Sequence, residues 1–238
     1  MDAGSVSVVV PVYNEEKNLE KVVRDLTTDL AGHQYEIIIV DDGSKDGTPA
    51  LADRLGGEDP RHVRVIHHPT NRGGGAATRT GLFAAKKDLV MMAPGDGQFV
   101  TADLPRYLAA ILDVDFVISR RRRRSGGSLR ALSSWCYRAV VRVLLGVRYR
   151  HINWVKLYRR ELVQGLPLTA DSWLLDTEIL YWAGRLGWRS IEIEVDELPR
   201  LAGKATGSNP LHMLAVVREL WRFRKSLRKQ SSGLTVRS

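Results

Sequence analysis

The chain has 238 residues, 44% of them hydrophobic, which supplies one substantial core and excludes a wholly disordered protein. Its net charge is +9 with an isoelectric point near 9.9, and its one cysteine, Cys136, excludes an intrachain disulfide and fits a reducing compartment. No stretch reaches the roughly 20 apolar residues of a spanning helix, and no charged segment with an apolar signal core opens the chain, so the cytoplasm is the expected location.

The residues Val6–Val10 are β-branched and predict a first strand, broken by Pro11-Val-Tyr-Asn-Glu-Glu before a helix over about Asn14–Leu30. A second strand, Tyr35–Val40, ends in Asp41-Asp-Gly-Ser-Lys-Asp-Gly-Thr48, and Pro49 suits the first turn of the next helix. A third strand covers Val63–His67. The Gly-rich segment Asn71–Gly81 then opens a helix to about Lys87. A fourth strand runs from Leu89 and stops at Pro94-Gly-Asp-Gly-Gln98, with a helix after Asp103 and a fifth strand over Asp115–Ser119. This alternation predicts an α/β fold with a mostly parallel, doubly wound sheet, whose ligands gather at the carboxyl ends of the strands. The polar clusters at Tyr13–Glu15, Asp41–Asp46 and Asp96–Gln98 each follow a strand and are expected to meet at that edge.

The second half differs in character. Between Phe116 and Arg160 there are 13 Lys and Arg and no Asp or Glu, leaving 23 basic against 27 acidic residues elsewhere, so one segment carries the basicity and implies an anionic partner. Five arginines, Arg120–Arg124, precede a helical pattern over Leu129–Val147. Its expected apolar stripe is Leu129, Leu132, Cys136, Val140, Val143 and Val147, with Arg130, Ser134, Arg138 and Arg142 along another face. A further strand pair is expected over Asn153–Tyr158 and Ser190–Val195, with a helix over about Asp176–Leu186 between the two strands. A last helix over Pro210–Lys229 repeats the pattern, with Met213, Val216, Leu220, Phe223 and Leu227 apolar and Arg218, Arg222, Lys225 and Lys229 basic. Residues 1–229 read as a single domain, with a nucleotide-sugar half over 1–118 and an acceptor half over 119–229, and 230–238 as a frayed tail.

Asp96 and Gln98 stand two apart on a turn and offer oxygens to a hard cation such as Mg²⁺ or Mn²⁺. The Gly-rich loop lacks the Gly-Lys-Ser/Thr of a Walker loop, and Thr78 stands where a Rossmann fingerprint wants its third glycine. Glycines before a helix N-terminus also let backbone N–H groups approach phosphate. Asp41 and Asp42 either serve a ligand or terminate their strand and cap the next helix.

Taken together, PVYNEEKNL (11–19), VDDGSKDGT (40–48), NRGGGAA (71–77) and GDGQF (95–99) resemble family 2 glycosyltransferases of the GT-A fold. Within the family the chain is most similar to dolichol-phosphate mannose synthases and bacterial polyprenyl-phosphate glycosyltransferases, with support from VISRR (117–121), NWVKLYRRE (153–161) and LPRLAGKATG (198–207). The resemblance implies transfer of a hexose, with inversion, from a GDP- or UDP-sugar to a polyprenyl phosphate. It implies that Pro11, Tyr13, Glu15, Asp41, Asp42, Asn71 and Gly95 line the nucleotide-sugar pocket, and that Asp96 and Gln98 hold a divalent cation on the donor diphosphate. Arg120, Arg130, Ser134 and Arg200 would face the acceptor phosphate, while Arg200 and Lys204, on a loop, would also assist Asp96 in catalysis. Relatives commonly carry an aspartate where this chain has Pro94, so one carboxylate is missing.

An acceptor phosphate is already ionised and needs no strong base, whereas a sugar hydroxyl does; for that alternative Asp176 and Glu178 are the base candidates. A non-catalytic lipid- or partner-binding subunit is the third reading. The two amphipathic basic helices suit an anionic membrane surface, which makes the chain peripheral on the inner face of the cytoplasmic membrane, alone or with an anchoring partner. No nucleic-acid-binding motif is present, and Trp135 and Tyr137 lie in a helix rather than on a stacking platform.

Overall fold

A computed structural model describes residues 4–122, 128–147, 149, 152, 154–172, 174–199, 219–225 and 227, with only the backbone at 128–134. Seven strands form one sheet in the order β3-β2-β1-β4-β6-β5-β7. They are β1 (Val6–Val12), β2 (Tyr35–Asp41), β3 (Val63–His67), β4 (Leu89–Met92), β5 (Phe116–Arg121), β6 (Lys156–Arg159) and β7 (Ser190–Val195). Only β6 runs against its neighbours. The carboxyl ends of six strands and the start of β6 therefore share one edge, as the α/β reading anticipates.

The strands carry β-branched residues on both faces because helices cover both. Val6, Val8, Val10, Ile37 and Ile39 face a core filled by Leu19 and Leu26 of α1 (Leu19–Asp29), Leu55 of α2 (Thr48–Glu58) and Tyr107 of α4 (Leu104–Ala110). Val9, Ile38, Val40 and Val90 face a second core, with Ala77 and Leu82 of α3 (Gly74–Ala84), Val141 of α5 (Ser128–Leu145) and Ile179 and Ala183 of α7 (Leu174–Arg185). A short helix unforeseen in the sequence, α6 (Arg160–Gln164), follows β6 directly.

Three expectations shift. Helix α1 starts at Leu19 and not near Asn14, because Asn14 adopts φ 56° and is bound to the loop after β2: its N–H donates to Ser44 Oγ, and its Oδ1 accepts from Lys45 N–H. Strands β6 and β7 both pair with β5 and not with each other. Helix α5 is turned part-way from the expected stripe: Val140 and, just past the helix, Val147 pack in the core as expected, but Val141 is fully buried with Tyr137 and Leu144 against the same core, while Val143 is 80% exposed. In the last helix, residues 219–225 and 227 are helical with Leu220, Phe223 and Leu227 buried, as the stripe predicts, and the remainder of Pro210–Lys229 lies outside the described residues.

Candidate active site

Loops after β1 and β2 interlock at the carboxyl edge. Besides the two Asn14 contacts, Glu15 N–H donates to Thr48 Oγ1 and Gly47 N–H donates to Glu16 Oε2. The resulting rim carries Pro11, half-buried at the end of β1, Glu15, whose Oε2 accepts from Asn18 Nδ2, and Tyr13, 40% exposed.

Asp41 and Asp42 are both 1% exposed and heavily engaged. Asp41 accepts from Ser44 N–H and pairs with His67 Nδ1 at 2.9 Å, while His67 Nε2 lies 3.0 Å from Asp53. The hydrogen bond to Asp41 is the main force holding His67 above its ordinary pKa. Asp42 lies 2.7 Å from His68 Nδ1 and accepts from Arg72 and Gly73 N–H, and His68 Nε2 reaches Thr80 on α3. Its carboxylate thus clamps the Gly-rich loop onto the sheet, beyond the strand-end role foreseen for it. No signal of these histidine pairings exists until β3 is placed in register beside β2.

The Gly-rich loop serves packing. Ala76 N–H donates to Asp171 O, and a Cβ on Gly75 would lie 2.1 Å from Ser172 O, so the glycine lets this neighbouring loop cover the α3 N-terminus. Arg79 completes the join through Leu168 O and the Asp171 carboxylate. The N–H groups expected to approach phosphate are partly spent on protein. Asn71 remains exposed, with Oδ1 accepting from Gly73 N–H.

Gly95 carries the chain from β4 past β1, where a Cβ would come within 2.5 Å of Val12 Cγ1. Asp96 is half-buried, and its Oδ1 accepts the Gln98 N–H at 3.1 Å, fixing the turn through Gly97 at φ 73°. Gln98 Nε2 donates to Glu197 Oε1 at 3.1 Å and approaches Leu198 O at 3.5 Å, so its amide oxygen is the end that takes no hydrogen bond among the described residues. Arg121 pairs with the same Glu197 oxygen at 3.0 Å and lies over the Trp154 ring, 4.4 Å from its centroid. Although it belongs to the arginine run, Arg121 has a side chain only 13% exposed, because it closes β5 on the face opposite Arg120. Arg120 points the other way and pairs with Glu192 and Glu194 on β7.

The two base candidates are occupied. Lys156, 1% exposed at its side chain, donates to Asp176 Oδ1 and to Trp154 O, each at 2.8 Å. Burial pushes the Asp176 carboxyl up and the Lys156 ammonium down, and each partly offsets the shift of the other. Glu178 is fully buried and accepts from Thr169 N–H, Thr169 Oγ1 and Ala170 N–H. Among the remaining expected residues, Arg200 and Lys204 lie outside the described residues, and Arg130 and Ser134 are placed only as backbone in α5.

An Asp carboxylate and a Gln amide oxygen suit Mg²⁺ or Mn²⁺, which take few protein ligands when phosphate oxygens complete the shell. Among the described residues no three His, Cys, Asp or Glu side chains group to hold an ion, so these two oxygens fit a cation shared with a diphosphate better than a dedicated cage.

A sequence model described as glycosyl transferase family 2 matches residues 7–180. The chain belongs to this family. It is a glycosyltransferase with the GT-A fold, as its motifs imply. A polyprenol monophosphomannose synthase of Mycolicibacterium smegmatis is 32% identical, covering 92% of this chain and 88% of that protein. A dodecaprenyl-phosphate galacturonate synthase of Rhizobium johnstonii is 28% identical over 70% of this chain, and there the match spans about half of the relative's length, 51%. Among solved structures, glucosyl-3-phosphoglycerate synthase from Mycobacterium tuberculosis, in complex with Mg²⁺ and uridine diphosphate, superposes with TM-score 0.68 at 25% identity, covering 92% of this chain and 77% of that one. In this family-2 glycosyltransferase, the Asp96–Gln98 turn lies where the sheet edge gathers the matched motifs.

Proposed function

We propose that this glycosyltransferase moves a hexose from a UDP- or GDP-sugar to a polyprenyl phosphate, with inversion at the anomeric carbon, on the inner face of the cytoplasmic membrane. The observation that carries the acceptor class is the state of the two carboxylates. Asp176 is held by a buried lysine and Glu178 by three donors, so neither stands ready to take a proton from a hydroxyl. A phosphate acceptor requires no such step. The names of the Mycolicibacterium and Rhizobium relatives point to the same acceptor class.

On this reading Asp96 and Gln98 would hold Mg²⁺ or Mn²⁺, which would supply Lewis-acid stabilisation to the leaving diphosphate. The rim at Pro11, Tyr13 and Glu15 receives the nucleoside, with Asp41, Asp42, Asn71 and Gly95 shaping the loops around it. Arg120, Arg130, Ser134 and Arg200 orient the acceptor phosphate, and Arg200 and Lys204 neutralise the phosphates. A phosphate reaching Arg120 has to replace Glu192 and Glu194, and arginine's planar fork suits that exchange.

Membrane contact comes from side chains the fold leaves in water. Trp135 is 61%, Val143 80% and Trp221 62% exposed, with Arg142, Arg222 and Lys225 also exposed. Indole and aliphatic groups beside arginines suit an anionic lipid surface. No helix among the described residues is long and apolar enough to cross a membrane.

The test is a panel of UDP- and GDP-sugars with Mn²⁺ or Mg²⁺, with and without a short-chain polyprenyl phosphate. Nucleotide release that depends on the lipid phosphate, lost in Asp96→Ala with the fold intact, is the expected result. Turnover only with hydroxyl acceptors would overturn the acceptor assignment, and silence across the panel would favour a non-catalytic binding subunit.

A further inference from the structure

The geometry points to Glu197 as a positioning residue for the cation site, acting through Gln98; this inference rests on the reading of Asp96 and Gln98 just given. We infer that its carboxylate sets which end of the Gln98 amide faces the donor diphosphate.

A primary amide presents a donor NH₂ at one end and an acceptor oxygen at the other, and only the oxygen can ligate a cation. A carboxylate accepts and does not donate, so a carboxylate beside Gln98 selects the NH₂ for itself and turns the oxygen away. Glu197 Oε1 does this at 3.1 Å, seconded by Leu198 O at 3.5 Å. The backbone fixes the approach: Phe99 and Glu197 form an antiparallel bridge, and Leu198 N–H donates to Gln98 O at 2.9 Å. Arg121 compensates the carboxylate at 3.0 Å from the same oxygen, and Trp154 lies beneath the guanidinium.

Glu197 does not act as a ligand of its own. Its side chain is 4% exposed; Oε2 is covered from solvent and accepts no hydrogen bond among the described residues, and Arg121 Nε donates none there. An atom closed in this way does not face a cleft that admits a diphosphate. With Pro94 in place of a carboxylate, the amide oxygen is half of the protein's donor set, so its orientation matters more here than in a site with a second aspartate. Groups that orient metal ligands in this manner typically contribute 10–100-fold to metal affinity.

The experiment measures Mn²⁺ binding by electron paramagnetic resonance in the presence of UDP or GDP, for the wild type, Glu197→Ala, Gln98→Ala and the double variant, with thermal unfolding of each. Glu197→Ala is expected to weaken Mn²⁺ roughly tenfold or more, and the double variant no further than Gln98→Ala, since one residue acts through the other. Glu197→Gln keeps size but adds a donor that no longer selects the amide's NH₂ end; it carries the test, at about threefold or more, if the alanine variant fails to fold. Unchanged affinity in folded variants overturns the inference. Losses that multiply in the double variant overturn it too, because Glu197 would then be a ligand itself. Wild type that binds no Mn²⁺ with either nucleotide overturns the cation reading, and this inference with it.

Discussion

Replacing Asp176 by alanine tests whether its carboxylate is structural. Lys156 Nζ has two partners at 2.8 Å, Asp176 Oδ1 and Trp154 O, and its side chain is 1% exposed against 21% for the aspartate. Deleting one member of a buried pair leaves an uncompensated charge at about 3–5 kcal/mol. Water reaches the aspartate, and the lysine can shed its proton since burial already lowers its pKa, so about 2–4 kcal/mol is expected here. Asp176→Asn, which keeps an acceptor for the ammonium, should lose about half of that. The double variant Lys156→Met with Asp176→Leu fills the same space with apolar groups and should return to within about 1 kcal/mol of wild type. Urea unfolding measures all four. Less than about 0.5 kcal/mol lost in Asp176→Ala would refute the buried-pair argument, since that is the scatter of ordinary surface changes. A double variant as stable as wild type that fails to turn over a phosphate acceptor would refute the assignment of Asp176 as structural rather than chemical.

Gly75→Ala should destabilise by about 2–3 kcal/mol in the same assay, because the new Cβ meets the Ser172 carbonyl oxygen at 2.1 Å, and that backbone atom cannot swing aside as a side chain can. His67 has a folded pKa raised above 6.5 by Asp41 and Asp53, so its contribution is full below pH 6.5 and is lost as pH rises through the raised value. Unfolding free energies at pH 6 and pH 9 should therefore differ less in His67→Gln than in wild type. Trp135→Ser with Val143→Ser should weaken binding to anionic vesicles by roughly tenfold in a sedimentation assay, at about 1.5 kcal/mol for the lost apolar contact, without changing thermal stability.

Much of this architecture is legible in the sequence because it rests on local physics. The runs VSVVVPV and YEIIIVD read as strands buried on both faces, and the Gly and Pro after each strand mark the turns that bring the motifs to one edge. Ser190–Val195 keeps its predicted bounds, and Pro49 opens α2 as its fixed φ suggests. What composition and periodicity did not reveal depends on partners far along the chain. The sequence does not show that Asp42 also meets His68 and the Gly73 N–H, or that Ser172 lies against Gly75.

Helix α5 shows the same limit in another form. Its apolar residues satisfy two stripes at helical spacing, one through Leu132, Cys136, Val140 and Val143 and another through Tyr137, Val141 and Leu144, which differ mainly by a rotation of the helix about its axis. Periodicity establishes that a helix forms and leaves its rotation open. The rotation is set by what the helix meets: the Tyr137 hydroxyl lies 2.6 Å from Thr177 Oγ1 on α7, and Val141 sits in the core. That choice turns Val143 and Trp135 outward, so the apolar surface assigned above to lipid exists because the half-buried Tyr137 found its partner on another helix. Tyr137→Phe, which removes the hydroxyl and leaves Thr177 Oγ1 without it, is expected to cost about 1–2 kcal/mol in urea unfolding. Stability unchanged within about 0.5 kcal/mol would mean that core packing alone, and not this bond, sets which face of α5 is exposed.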